Sequence, residues 1–147
     1  MREIKFRGKD YQGNWHYGSL VIYNNGTFAI AQNDTTWTDD GFHNDDFELV
    51  EVKQETLGQF MGLLDKNDKE IYEGDIVEWQ QYGFMGQKTE TIKGVVYFDT
   101  DCGAYGLNTG FVKDFSWLRI FYNGVDLGDI TVIGNIHDNP ELLKKEE

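Results

Sequence analysis

Gly58-Gln59-Phe60-Met61-Gly62-Leu63-Leu64-Asp65-Lys66-Asn67-Asp68-Lys69-Glu70-Ile71-Tyr72-Glu73-Gly74-Asp75-Ile76-Val77 is the stretch on which the reading of this chain turns. Two apolar-rich arms flank a polar centre at residues 65–69, and Gly62 and Gly74 stand on either side of it. Apolar runs bounded by turn-forming residues read as strands, so the expectation is two strands that reverse direction about the centre. The centre superficially suggests a calcium loop. The match fails at the sixth position, where Glu70 replaces the required glycine, and at the twelfth, where Ile76 replaces a bidentate glutamate. A structural turn is expected instead, in which Asp65 and Asn67 bond nearby backbone amides.

The same stretch carries a family resemblance. Residues 62–77 resemble the central signature of the YopX family of bacteriophage and prophage proteins. The opening Met1-Arg2-Glu3-Ile4-Lys5-Phe6-Arg7 and the closing Ile133-Gly134-Asn135-Ile136-His137-Asp138-Asn139-Pro140-Glu141-Leu142-Leu143 are similar to that family's two ends, in the right order and spacing. Two residues depart from the pattern: Asp68 stands where the family usually has the glycine of an Asn-Gly turn, and Met61 where a threonine is common. The resemblance implies a phage or prophage origin, a mainly β architecture with an SH3-like small barrel in the latter part, and no established biochemical activity. It supplies no catalytic residues.

Outward from the centre, the chain reads as strands and turns. Glu3-Ile4-Lys5-Phe6-Arg7 alternates polar and apolar residues, Gln12-Gly13-Asn14 is turn chemistry, and Trp15 and Tyr17 resume the alternation. Leu20-Val21-Ile22-Tyr23 and Thr27-Phe28-Ala29-Ile30-Ala31 flank Asn25-Gly26, a hairpin signal because both residues tolerate positive φ. An antiparallel meander of three strands is therefore expected to open the protein. From Asn33 to Asp46 the pattern dissolves into a polar loop. Phe47 to Val52 is again a strand, and Thr89 to Phe98 is the longest β-prone run. Asp99 and Asp101 begin a turn from which Gly103 to Leu107 returns. Residues Gly110 to Leu127 fit a helical stripe (Phe111, Phe115, Leu118) as well as an irregular strand. Ile130 to Ile136 closes the sheet. Asn139-Pro140-Glu141 and the lysines that follow predict one or two helical turns at the end.

With 147 residues the chain suits one domain or two small halves sharing a core. The expected division is an N-terminal β meander with its acidic loop over residues 1–55, packed with the SH3-like half over 56–147. One cysteine, Cys102, excludes an intramolecular disulfide, and Arg2, Lys5, Arg7 and Lys9 interrupt anything resembling a signal peptide. No apolar run approaches the roughly 20 residues that span a bilayer. No membrane association is expected, and a bacterial host cytoplasm is the natural compartment.

Charge excludes more than it assigns. Thirteen basic against 26 acidic residues give a formal charge of −13, which opposes direct binding to nucleic acid. No Lys or Arg occurs from Asp10 through Val52, a stretch holding eight carboxylates. Such a stretch either solubilises a surface or attracts a basic partner.

Candidate chemistry is sparse. Within the loop, Asp34, Asp39, Asp40, Asp45 and Asp46 with His43 offer oxygen and nitrogen donors to a cation, but their spacing matches no known loop. Trp37 and Phe42 in the same loop either tuck under the sheet or serve as contacts. Cys102 with His43 or His137 is the one nucleophile and base pair that can be drawn. Phosphate-loop, His-Glu-x-x-His and Cys-x-x-Cys motifs do not occur. The expectation is a phage accessory protein, not an enzyme, with no cofactor or metal, that binds an unknown host or phage protein. Alternatives are an acidic decoy mimicking nucleic acid, a self-assembling homo-oligomer, or an enzyme acting on a small molecule.

Overall fold

The structure, a computed structural model, describes residues 1–33, 37–38, 41–42, 47–82, 84–109 and 130–144. The chain divides into two compact units, Met1–Phe60 and Met61–Glu147.

In the first unit the expected meander forms. Strands β1 (Phe6–Lys9), β2 (Trp15–Ile22) and β3 (Phe28–Asn33) pair antiparallel, with Lys9 opposite Trp15 and Ile22 opposite Phe28. The strand starts at Phe6, not at Glu3: Phe6 is the first residue with ladder partners on both sides, Gly18 of β2 and Gln59, and before it Lys5 O accepts from Phe60 N–H at 2.8 Å. The two connecting loops share one construction. Asp10 N–H donates to Asn14 O and Gly13 N–H to Asp10 O; Tyr23 N–H donates to Thr27 O and Gly26 N–H to Tyr23 O. Each is a tight turn closed by one left-handed residue, Gly13 (φ 93°) or Gly26 (φ 85°). Asn25 does not share the positive φ that its Asn-Gly pairing suggests, since a three-residue loop needs only its last residue left-handed.

The loop from Asn33 to Asp46 is less irregular than expected. Its backbone pairs β4 (Trp37–Thr38) antiparallel with β5 (Gly41–Phe42). Whether Trp37 and Phe42 tuck under the sheet lies outside the described side chains. Strand β6 (Phe47–Val52) then pairs with β3. A 3₁₀ turn, Gln54–Thr56, leads into β7 (Gly58–Leu64), whose first residues lie beside β1, giving the order β6-β3-β2-β1-β7. Ile30, Ala29 and Val52 are buried at the centre of this unit.

The second unit starts with the end of β7 and the turn at residues 65–69, which returns as β8 (Glu70–Tyr72). Here the central stretch departs from its reading as two strands, because the second arm breaks at Glu73-Gly74 and restarts as β9 (Asp75–Tyr82). The break is a tied corner. Gly74 adopts φ 83°, its N–H donates to Val96 O at 2.8 Å and its carbonyl accepts from Ile136 N–H at 2.9 Å. The Asp75 carboxylate accepts from the Tyr72 N–H at 2.8 Å, satisfying a buried donor that the corner removes from the ladder.

Strands β10 (Lys88–Asp99), β11 (Ala104–Asn108) and β12 (Thr131–Asn135) complete an antiparallel sheet in the order β11-β10-β9-β12. Met61, Ile71, Val77, Trp79, Val96, Leu107, Ile130 and Val132 form its apolar core, as the alternation along β9 and β10 requires. The protein is mainly β, built of antiparallel sheets, and the helical elements among the described residues are only short 3₁₀ turns. The SH3-like small barrel implied by the resemblance does not close among the described residues. β11 and β12 end the strand order, and closure would need a ladder between the last strand and the first. Residues 110–127, read as either helix or strand, lie outside the described residues.

After β12 the chain knots into a local turn. Asn135 Oδ1 accepts from the His137 and Asp138 amides, and Asn139 Oδ1 accepts from Asn135 N–H. A side chain at Gly134 would sit 2.5 Å from Asn139 Oδ1, so the glycine is what lets Asn139 fold back. Asn139 thus spends its side chain on the turn and makes no cap bond to the 3₁₀ turn Pro140–Leu143 that follows.

Asp68 carries the turn that a glycine would carry more easily. It takes φ 62°, while Asp68 N–H donates to Asp65 O and Asp65 N–H to Lys69 O. Left-handed backbone costs an ordinary L-residue about 1–2 kcal/mol, less for Asp. Asp68→Gly is therefore expected to stabilise the protein by roughly 0.5–1 kcal/mol, even after the entropy of the freer unfolded chain is counted. Urea denaturation of the two proteins measures it, and an unchanged or lower midpoint contradicts the assignment of strain to residue 68.

Candidate functional site

Two aspartates head loops of the same construction, and they organise the polar chemistry of the two units. In the second unit Asp65 is 5% exposed. Its Oδ1 accepts from the amides of Asn67 (2.7 Å) and Lys69 (3.0 Å), and its Oδ2 accepts from the Val132 amide (2.9 Å), 67 residues away. Lys66 N–H donates to Ile130 O, so the turn and the entry to β12 are doubly joined. The structural turn forms as read at Asp65, with both carboxylate oxygens committed to backbone, while Asn67 takes part through its own backbone amide and not as a second side-chain acceptor among the described contacts. Burial pushes the Asp65 carboxyl up. The amides of Val132, Lys69 and Asn67, with the charge of Lys69, outweigh burial, and the net shift is downward.

In the first unit Asp10 repeats the arrangement and adds a histidine. Oδ1 accepts from the Gln12 (3.0 Å) and Asn14 (2.8 Å) amides, and Oδ2 accepts from His16 Nε2 at 2.8 Å and from Asn14 Nδ2 at 3.3 Å. His16 first and the Asn14 amide next hold this carboxyl well below the usual range, against the cost of burial. The chain of contacts continues across the sheet: His16 Nδ1 lies 3.4 Å from Gln32 Oε1, and Gln32 Nε2 donates to Glu48 Oε2 at 3.3 Å. Asp10, His16, Gln32 and Glu48 thus form a polar line running from the first loop through β2 and β3 to β6. The line was not anticipated from sequence. Only the Asp-x-x-Gly-Asn loop was readable locally; the contacts of His16 with Gln32 and of Gln32 with Glu48 depend on non-local register.

The line orients an imidazole, and among the described residues no nucleophile bonds to it. Near it lies a second cluster, in which the Arg7 guanidinium stacks over Trp15 (4.7 Å), the Lys9 ammonium lies 5.4 Å from the same ring, and Lys53 lies 5.8 Å from the ring of Tyr11. These cations cover aromatic faces, a packing use of their charge.

The nucleophile pair drawn from sequence is not assembled. Cys102 is exposed in the turn between β10 and β11, while His137 follows β12. β9 intervenes in the strand order between that turn and β12, so the two turns leave the sheet about two to three strand spacings, roughly 10–14 Å, apart. His43 and most of the acidic loop lie outside the described residues. Among the described residues no three His, Cys, Asp or Glu side chains converge as a metal ion would need, and no helix is long and apolar enough to cross a membrane.

Among the described residues a groove opens on the second sheet, bordered by Lys66, Glu78, Gln80, Tyr82 and Lys88. Its volume of about 190 Å³ falls short of the roughly 300–1,000 Å³ of small-molecule pockets. Gln80, the amide best placed in it, is already held by Glu90 O and by the Thr91 hydroxyl.

These features define a small all-β protein whose buried acids serve loop and sheet architecture. Residues 5–144 match the family model described as YopX protein, and the chain belongs to the YopX family. The fold is shared with the crystal structure of protein EF1440 from Enterococcus faecalis, at a TM-score of 0.58 and 21% identity, over 98% of this chain and 100% of that one. At that identity the likeness speaks for the fold. No curated protein matches the chain.

The Asp65 contacts predict the acid response. Its folded-state pKa lies below the ordinary 3.8, so the stabilisation is complete above that value and is lost as pH falls through the lower folded value. Asp65→Asn, which leaves the Val132 or loop amides poorly paired, is expected to cost about 2–3 kcal/mol near neutral pH and to flatten the loss of stability on acidification. Urea midpoints measured between about pH 6 and pH 2 check both effects, and parallel curves for the two proteins would remove Asp65 as the titrating group.

Proposed function

We propose that this YopX-family chain is a phage or prophage accessory protein that works in the host cytoplasm by binding another protein. The observation that carries the reading is the tip of the β9–β10 hairpin. Phe84 is 106% and Met85 87% exposed there, and Tyr82 at the end of β9 is half exposed. A single exposed apolar residue is ordinary, but two large ones at the end of a projecting hairpin are the usual form of an anchor for a partner's pocket. Loops and hairpin tips on rigid β scaffolds are where small β proteins place recognition. Family membership supports the phage setting.

Phe84→Ser with Met85→Ser tests the proposal. The substituted residues touch no core position, so the thermal midpoint is expected to stay within about 2 °C of the parent, given that surface changes are usually worth less than about 0.5 kcal/mol. Affinity capture from host lysate, read by mass spectrometry, is expected to lose its specific partner with the double variant. Retention of every captured protein by that variant would overturn the role of the tip.

A further inference from the structure

We propose that strand β6 is a docking edge for an extended, Lys/Arg-rich segment of a partner protein, added as a further strand beside β6 in the first unit's sheet. This rests on the reading of the chain as an interaction protein, and it names a different surface and the chemistry of what binds there.

The ladder registers decide which backbone groups of β6 are available. Tyr23 N–H bonds Thr27 O, and the β2–β3 register continues unbroken from Ile22 opposite Phe28 to Ser19 opposite Ala31. Hydrogen-bonded pairs alternate along an antiparallel ladder, so Thr27, Ala29 and Ala31 direct their backbone groups to β2. Phe28, Ile30 and Gln32 therefore face β6, where their partners are Val52, Val50 and Glu48. The remaining β6 residues, Phe47, Leu49 and Glu51, direct N–H and C=O away from the sheet. One step further on, Lys53 N–H faces the same outer way and is taken by Lys9 O at 2.8 Å. The outer edge is thus occupied at Lys53, and at Leu49 and Glu51 nothing pairs with it among the described residues.

Charge selects the occupant. Glu48, Leu49 and Glu51 are exposed, and Glu51 makes no ion pair among the described residues. They close a stretch, residues 10–52, that has eight carboxylates and no Lys or Arg. A second copy of the chain would bring the same carboxylates against themselves, which opposes self-pairing of this edge. An extended segment rich in Lys and Arg gains backbone bonds at Leu49 and Glu51, an apolar contact on Leu49, and opposite charge on both faces of the strand, through Glu48 on one and Glu51 on the other.

The test uses the full chain and a fluorescent capped hexapeptide of alternating Lys and Val, read by polarisation. Three comparisons accompany it: the Glu-Val counterpart, the Lys-Val peptide N-methylated at alternate amides so that charge is kept and one backbone edge is lost, and the variant Glu48→Gln with Glu51→Gln. The Lys-Val peptide is expected to bind at least about tenfold more tightly than the Glu-Val and N-methylated peptides, and the double variant to lose about fivefold or more. The amides of Leu49 and Glu51 are expected to exchange rapidly in the free protein and slowly in the complex, which an edge used only to keep chains apart would not do. No binding, equal binding of the N-methylated peptide, or unslowed exchange at these two amides overturns the proposal. A partner that still depends on Phe84 and Met85 when the peptide fails leaves the interaction reading intact and removes only this edge. Peptide binding with no dependence of any captured protein on Phe84 and Met85 does the reverse.

Discussion

The second unit depends on one carboxylate. Asp65 sits in a turn between two short strands, yet one of its oxygens holds the Val132 amide of a strand far along the chain. A strand at the end of a sheet presents backbone donors and acceptors that must be paired, covered or left to water. At β12 this is settled from the outside: Asp65 takes the Val132 N–H, Lys66 supplies an N–H to Ile130 O, and Asn139 Oδ1 takes the Asn135 N–H. The central stretch is therefore more than a hairpin. It seals the edge of the sheet whose β9 it also provides.

An acid suits this task better than an amide does. Three backbone N–H groups converge on Asp65, and an ionised carboxylate is the one side chain that accepts all of them without offering a proton of its own. Asp10 uses the same economy. One oxygen closes its own loop through the Gln12 and Asn14 amides and the other reaches outward, to His16 instead of to a strand. In both loops the carboxylate binds residues two and four positions on. The two loops differ at the left-handed position, where one has Gly13 and the other Asp68.

How much of this can be read without coordinates follows the range of each interaction. The strand Phe47–Val52, the return after Asp99 and the three-strand opening are legible because period-two alternation and turn residues are local signals. The turn at Asp65 was legible as a turn, and its carboxylate as an acceptor of nearby amides, but not as the holder of Val132, since nothing in residues 65–69 encodes a partner at position 132. The break at Gly74 escaped notice for a related reason. Glu70 to Val77 is apolar-rich at both ends and passes for one arm of a hairpin, and the corner is revealed only by the partners of Gly74, Val96 and Ile136. The polar line through His16 and Gln32 was equally hidden, because β2, β3 and β6 bring its members together by register. Cys102 and His137 show the converse: chemistry that composition permits and strand order keeps apart.

The family resemblance rests on residues whose roles are now physical. Gly74 and Asp75 make the corner before β9, Gly134 gives Asn139 the room to fold back, and Asn135 closes the turn that follows β12. None of these residues needs a ligand to explain it, because each is accounted for by backbone it satisfies or space it leaves open. A signature made of such positions preserves a scaffold and leaves its surfaces free to vary, so membership in the family carries the fold across and not the identity of a partner. On the proposed reading, specificity resides where the scaffold makes no demand: at the hairpin tip with Phe84 and Met85, and along the acidic edge of β6, whose outward amides at Leu49 and Glu51 no described residue pairs.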